Sequence, residues 1–281
     1  MNRLKPRSKA AWTFEFLFVV FFGILNLVPI FWGLITSLKT PNLINTMPPI
    51  VFGFTPTIDH YVRVLSSGFF KCIVNTFMYA IISIIAGVIL GYFAAYGFVR
   101  REFPLKKLFF FIVVVGIPLS TGSSVLLIPN YMYLLSIKMT NHWYTMPLIY
   151  TAYHLPMAIW QLIAGIKGVP SELEEAAYID GANQGYVLGR LLPPLLLPSV
   201  AAAALLIFIG AWNDYITASV MVGGNDLKNI QMAIYDYMGY FGQEWGPLTA
   251  SATCAIIPIL LVFTFLGKQL VSGLTAGAVK G

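Results

Sequence analysis

Long apolar runs separated by shorter polar segments dominate this sequence. Each run holds 21 to 27 residues, enough for a helix to cross about 30 Å of hydrocarbon at about 1.5 Å per residue. The pattern predicts an all-α integral membrane protein with six transmembrane helices in a single domain. The predicted spans cover residues 14–38, 73–99, 108–128, 143–166, 195–220 and 249–271.

Composition agrees with this pattern. Hydrophobic residues make up 58% of the 281 residues and charged residues only 10%, whereas soluble domains carry about 25% charged residues. Within the second run, Gly87 and Gly91 have the G-x-x-x-G spacing that lets two helices approach closely. We therefore expect packing between helices there, and no large soluble portion.

The 17 Lys and Arg residues lie at the ends of the apolar runs rather than in a stripe, which indicates membrane topology and argues against nucleic-acid binding. Twelve fall on one predicted face and five on the other. The first face is expected to be cytoplasmic, which makes both termini cytoplasmic, including the tail 272–281. The first run is too long for the core of a cleaved signal peptide. We expect a multi-pass protein of the bacterial plasma membrane.

The connecting segments differ in length. Two long segments, 39–72 and 221–248, are predicted to be external. After Pro129, the segment Asn130–Ile137 is predicted to form a short interfacial helix. The only long cytoplasmic segment covers residues 167–194, and we expect it to contact another molecule.

That cytoplasmic loop carries strong helix signals. Ser171 followed by Glu174 has the spacing of a capping box directly after Pro170. Gly181 can adopt the left-handed conformation that ends a helix. A helix of about ten residues is predicted, followed by a second amphipathic stretch from Gly185 to Pro193.

One face of this helix has helical spacing and small side chains; it comprises Leu173, Ala176, Ala177 and Asp180. Such a face suits a groove on a partner protein, but the helix could also lie on lipid or on its own bundle. Lipid-surface helices usually carry bulky apolar and basic residues, whereas this helix is acidic, which favours a protein partner.

A few polar groups fall within or near the apolar runs. Intramembrane polar residues are functional candidates by default, and hydroxyl-rich solutes need neutral hydrogen-bonding groups and aromatic faces. The candidates for a substrate path are Asn130, Trp160, Gln161, Asn213 and Asp214. Asp214 could equally bond to a neighbouring helix, and Gln161 could join helices. Trp212 is expected to be structural.

Motifs for other chemistry are missing from the sequence. Neither the two cysteines nor the three histidines have metal-ligand spacing, so no metal site is predicted. No phosphate-binding G-x-x-x-x-G-K-[ST] loop and no H-E-x-x-H occurs, so the chain is not expected to be an enzyme. An ion-coupled transporter or channel is the alternative, but ion coupling normally needs ionisable groups near the midplane, and none is clear here.

The cytoplasmic loop resembles a known family. Glu175-Ala176-Ala177, then Gly181, then Leu191-Leu192-Pro193-Pro194, are similar to the EAA loop of ABC importer permeases, E-A-A-x3-G-x9-I-x-L-P. Leu191 takes the Ile position and Pro193 the Leu position, so the sequence departs from that pattern at the turn into the membrane. Further similarity to binding-protein-dependent carbohydrate permeases of the maltose-transporter type lies at Asn75-Thr76, 94–98, Ile128-Pro129, 211–214 and 273–281.

The resemblance implies that Glu175, Ala177 and Gly181 lie on a coupling helix seated in an ATPase cleft. The predicted coupling set is Ser171, Glu174, Glu175, Ala176, Ala177, Asp180 and Gly181. The implied partners are a second homologous permease subunit, with a heterodimer favoured over two identical copies, two ATP-binding subunits that hold the ATP and Mg, an extracytoplasmic solute-binding protein and the lipid bilayer. This chain would hold no cofactor. Its cargo would be a sugar or oligosaccharide, although a glycerol-phosphate or polyol importer would look much the same.

Overall fold

The computed structural model describes residues 9–120, 124–239 and 242–278. The predicted basic residues Arg3, Lys5, Arg7 and Lys280 lie outside these ranges, as does the end of the predicted tail. The helices are α1 Lys9–Ser37, α2 Pro41–Ile44, α3 Asp59–Ser66, α4 Phe69–Arg100, α5 Lys106–Ser120, α6 Ser124–Ser136, α7 Thr145–Gly168, α8 Glu172–Ile179, α9 Gln184–Tyr186, α10 Leu192–Leu195, α11 Leu197–Asn213, α12 Ile216–Met221, α13 Ile230–Tyr235 and α14 Trp245–Ala278, with a π-helical segment Val187–Leu191 between α9 and α10. Strands β1 Met238–Gly239 and β2 Gly242–Gln243 pair antiparallel, with Met238 opposite Gln243.

The described residues of the six predicted apolar runs fall mainly on helices, and the all-α membrane fold is confirmed. Three described segments are long and apolar enough to cross a bilayer, namely Trp12–Ser37, Phe69–Arg100 and Trp245–Thr264. A fourth candidate span results if two neighbouring helical segments that meet at an angle of 76° are counted together. These segments are Gln184–Leu195 and Leu197–Asn213.

The structure corrects two of the predicted runs. In the third, α6 continues through Pro129, so the predicted separate helix beginning at Asn130 is wrong. Proline fixes a φ that a helix tolerates and removes one N–H donor, and here it does not end the helix. The fifth run is divided at Asp214, whose backbone is extended (ψ 119°).

The described chain forms two compact units. One contains Met1–Gly68 and Ile234–Ile256. In this unit α1 is largely exposed, with 6% of its apolar window buried. The predicted external segments contact each other through an ion pair between Arg63 and Glu244, 2.5 Å apart. The Lys39 side chain is buried beside the rings of Trp32 and Phe54.

The other unit contains Phe69–Ala233 and Ile257–Gly281, and its core lies where α4, α7 and α11 pack together. The two glycines of the G-x-x-x-G lie in this core. A Cβ built on Gly87 would come within 2.8 Å of Ile207 Cδ1, and one on Gly91 within 3.2 Å of Leu162 Cδ1. The predicted packing role of this motif is confirmed, because a side chain at either position would press on Ile207 or Leu162 of the neighbouring helices.

Candidate coupling helix and transport site

The short helix α8 follows α7 after the extended residue Val169. It ends in a Schellman motif, in which the N–H groups of Gly181 and Ala182 donate to the carbonyls of Tyr178 (3.1 Å) and Ala177 (2.9 Å). Gly181 has φ +86°, the left-handed conformation that L-residues with a Cβ disfavour. The predicted helix stop at Gly181 is confirmed.

The predicted capping box is wrong. Ser171 has helical backbone angles, and its side chain makes no cap hydrogen bond. Instead, the Glu174 side chain turns into the bundle, where its Oε1 accepts from Arg100 Nε at 2.6 Å and its Oε2 from the Tyr96 hydroxyl at 3.2 Å. A guanidinium in a partly desolvated site is a stronger partner for a carboxylate than a solvent-accessible backbone N–H.

Arg100, the last residue of α4, joins three elements. Besides the ion pair, its guanidinium donates to Val169 O at 2.6 Å and to Ile166 O at 3.4 Å. The side chains of Arg100 and Glu174 are 17% and 6% exposed. Because one guanidinium holds the end of α7 and the start of α8, these segments are fixed to the end of α4.

This ion pair also sets the rotation of α8. The inward side carries Glu174 and the partly buried Ala177, which packs against the bundle core. Of the predicted docking face, Leu173, Ala176 and Asp180 are exposed, but Ala177 is not. Ala177 is therefore turned towards the bundle, and docking through the predicted face stays a prediction. The outward surface, called the α8 outer face below, consists of Glu172, Glu175, Ala176, Ile179 and Asp180.

A second helical stretch follows, as predicted, from Gln184 to Leu195. It begins at Asn183, whose Oδ1 accepts from Tyr186 N at 2.9 Å. The Tyr92 hydroxyl of α4 donates to Leu188 O at 2.8 Å, in the π-helical segment. The loop is thus attached to α4 at two points, on either side of Gly181.

Asp214, a predicted substrate-path residue, is held by three hydrogen bonds. Its carboxylate accepts from the Tyr150 hydroxyl (2.8 Å), Thr217 N (3.1 Å) and Ala218 N (2.9 Å). The last two bonds satisfy free N–H groups at the start of α12. These contacts favour a structural role, in which Asp214 ends α11 and starts α12.

The other predicted path residues do not gather around Asp214. Asn213 is exposed and donates to Ile209 O of its own helix at 3.0 Å. Asn130 Nδ2 donates to the Tyr153 hydroxyl at 2.9 Å, one turn of α7 from the tyrosine that binds Asp214. Trp160 lies about two turns further along α7, stacked on Phe110 at 5.9 Å. Its neighbour Gln161 is partly buried.

Trp212, expected to be structural, lies in the core. Its ring is fully buried, 5.1 Å from Phe77 and 5.3 Å from Phe208 between centroids.

The Asn75-Thr76 step near the start of α4 holds the segment 226–230. Asn75 Nδ2 donates to the carbonyls of Asp226 (2.8 Å) and Lys228 (3.0 Å), and Thr76 Oγ1 accepts from Ile230 N at 2.8 Å. On the surface, the hydrogen bond from Lys71 lowers the pKa of Asp226 below its ordinary value. The sequence carries no local signal for these contacts, or for the hydrogen bonds of Tyr150 with Asp214 and of Tyr153 with Asn130. In each case the two partners are far apart along the chain.

A bundle of apolar helices with a short acidic helix fixed at one end is typical of a multi-pass membrane transport subunit. The model of the family described as "Binding-protein-dependent transport system inner membrane component" matches residues 87–275. The chain belongs to this family.

Curated relatives cover nearly the whole chain. The sulfoquinovosyl glycerol transport system permease protein SmoH of Agrobacterium fabrum is 30% identical over 91% of this chain and 90% of its own length. The trehalose transport system permease protein SugB of Mycobacterium tuberculosis is 31% identical over 91% of this chain and 93% of its own.

Solved structures share the fold. A chain of a bacterial ABC transporter that imports the acidic polysaccharide alginate has a TM-score of 0.79 at 19% identity, covering 95% of this chain and 100% of that one. A chain of the MetNI methionine ABC transporter has a TM-score of 0.58 at 15% identity, covering 76% of this chain and 97% of that one. The predicted assignment as an ABC importer permease is confirmed, and the chain is a membrane transport component of a binding-protein-dependent system.

Proposed function

We propose that this chain forms half of the translocation pathway for a sugar or oligosaccharide and couples that pathway to ATP hydrolysis on other subunits. The cargo class is supported by the printed names of several relatives, which are permeases for trehalose, sulfoquinovosyl glycerol and diacetylchitobiose. The rest of the complex would be a second, different permease, two ATP-binding subunits that hold ATP and Mg, and an extracytoplasmic solute-binding protein.

The observation that carries the coupling proposal is the fixation of α8 to α4 by Arg100 and Glu174. A helix that transmits force must be attached firmly on one side and accessible on the other. The α8 outer face is accessible, with Ile179 87% exposed, beside the carboxylate of Glu175. It would seat in a cleft of the ATPase subunit, with both termini of this chain on the cytoplasmic side.

Alternating access then follows from differential affinity. ATP on the partner subunits and the loaded binding protein must each favour one conformation of the bundle. The proposed substrate path runs along α6, α7 and the end of α11 and includes Asn130, Trp160, Gln161, Asn213 and Asp214. Within it, Asp214 shapes the α11–α12 turn.

A second candidate cargo has one supporting observation. The osmoprotective compounds uptake permease protein GgtD of Synechocystis is 34% identical over 76% of this chain. This relative supports an osmoprotective solute as a second candidate cargo. A polyol or glycerol phosphate is the alternative that the resemblance in the sequence leaves open.

The test is reconstitution of the complete transporter in proteoliposomes, after a thermal-shift screen of its binding protein against mono-, di- and oligosaccharides, polyols and glycerol phosphate. We expect a carbohydrate to stabilise the binding protein and to be taken up only when ATP, the ATPase subunits and the binding protein are all present. Uptake without the ATPase subunits would overturn the coupling proposal. Stabilisation by glycerol phosphate alone would overturn the cargo class and leave the coupling proposal intact.

A further inference from the structure

A cavity opens at the same end of the bundle as α8, between the end of α4, the start of α5 and the end of α7. Its volume is about 580 Å³, within the range of small-molecule sites. One part of the wall is apolar and aromatic, with Phe98, Phe103, Leu105, Phe110 and Ile163. The polar part carries Glu102, Lys106, Lys107 and Lys167. We call this space the α4–α5–α7 cavity.

The polar wall has an excess of positive charge. Lys106 is occupied, because its Nζ donates to Glu102 Oε1 at 2.8 Å and to Arg101 O at 2.9 Å. Among the described residues, neither Lys107 nor Lys167 has a carboxylate within ion-pair distance. Two ammonium groups therefore line the cavity without an anionic partner from the described chain.

The start of α5 adds to this positive potential. Lys106 and Lys107 open the helix, and its first turn holds no acidic residue. Cations at a helix N-terminus oppose the helix dipole, so an anion placed there would relieve both the lysines and the free N–H groups. Leu105, directly before the helix, has φ +60°; such strain in a bulky residue recurs at ligand sites.

We infer that the α4–α5–α7 cavity binds an anionic phospholipid. The headgroup phosphate would lie against Lys107 and Lys167, and the first part of the acyl chains along Phe110 and Leu105. The wall combines cations with aromatic and aliphatic surface, which a soluble phosphate would leave unused. Basic pockets between helix ends at the cytoplasmic side of a membrane protein suit acidic headgroups in this way.

The experiment is native mass spectrometry of the full chain, purified in mild detergent and titrated with phosphatidylglycerol or phosphatidylcholine. We expect retained phosphatidylglycerol on the wild type in excess over phosphatidylcholine. Loss of each lysine should weaken phosphatidylglycerol binding about five-fold, since one basic residue near an anionic lipid contributes about 1 kcal/mol. The double variant Lys107→Gln/Lys167→Gln should therefore bind phosphatidylglycerol more than ten-fold more weakly than the wild type. Lys107→Arg/Lys167→Arg should keep the binding, which separates loss of charge from misfolding.

The matched control is Arg101→Gln/Arg190→Gln, which removes the same amount of charge from the α4–α5 connection and the π-helical segment, at two residues outside the cavity lining. We expect its phosphatidylglycerol affinity to stay within two-fold of wild type. An equal loss in the control, equal retention of both lipids by the wild type, or displacement of the lipid by millimolar inorganic phosphate would each overturn the proposal. So would cross-linking of Lys107 or Lys167 to a partner subunit in the assembled transporter, since the cavity would then be covered by protein.

Discussion

Arg100, at the end of α4, and Glu174, in α8, form an ion pair with 2.6 Å between Nε and Oε1. Both side chains are largely withdrawn from solvent, and the guanidinium also caps two carbonyls at the α7–α8 junction. The pair therefore converts a short surface helix into an extension of a membrane helix. This attachment makes α8 suitable for transmitting movement between a partner subunit and the bundle.

The first prediction concerns this pair. Glu174→Ala should destabilise the chain by about 3 kcal/mol, because it leaves a partly buried guanidinium unpaired. Combining Glu174→Gln with Arg100→Gln should cost less than the sum of the two single changes, since the partners depend on each other. Thermal unfolding of the detergent-purified variants measures both effects. Strict additivity would mean that the ion pair does not hold α8.

The adjacent Glu175 provides a matched comparison on the α8 outer face. Glu175→Ala should change the unfolding temperature little, as expected for an exposed side chain. Together with Ile179→Ser, it should reduce co-purification of the ATPase subunits about ten-fold or more, as for loss of a strong interface contact. Arg190→Gln, also exposed in this loop, is the control for a general effect of surface charge. Undiminished co-purification in the double variant would argue against docking through this face.

A third prediction uses two glycines of the same loop. Gly181→Val should cost about 1–2 kcal/mol, because a β-branched residue is strained at φ +86°, and it should abolish ATP-driven uptake while leaving membrane insertion intact. Gly189→Ala, in the π-helical segment with open space around it, should preserve uptake. Fractionation and proteoliposome uptake check both. If the Gly181 variant transports normally, the Schellman motif is not required for coupling.

Two glycines of α4 give a packing prediction. Gly87→Leu should destabilise the chain by about 1–3 kcal/mol, because its side chain would collide with Ile207 of α11. Gly97→Leu should be close to neutral, since nothing lies within 4 Å of a Cβ at that position. Thermal unfolding of the two variants gives the comparison, and equal effects would contradict close packing of α4 on α11 at Gly87.

The last prediction separates the two roles considered for Asp214. Asp214→Ala should destabilise the chain by about 1–2 kcal/mol through loss of the cap on α12, and Tyr150→Phe by about 1 kcal/mol through loss of one hydrogen bond. For transporters that remain folded, the KM for the solute should be unchanged in both variants. A raised KM at wild-type stability would instead place Asp214 in contact with the solute.

Local sequence patterns were sufficient to predict much of this protein's structure. The apolar runs, the stop at Gly181 and the spacing of Gly87 and Gly91 are each defined by residues near one another in sequence, although the side chains that pack on the two glycines are distant. The length of an apolar run, the left-handed φ that glycine tolerates and the missing glycine side chain are local properties of the chain. The positions of these residues in the sequence are therefore enough to predict the features that depend on them.

The sequence by itself therefore determined the membrane class, the helical runs and the position of the loop helix. Only the tertiary structure decided which side of that helix faces outward and which groups bind Asp214. Glu174 meets Arg100 across 74 residues and Asp214 meets Tyr150 across 64. A carboxylate binds the strongest donor that folding brings within reach, and residue spacing carries no information on which distant donor that is.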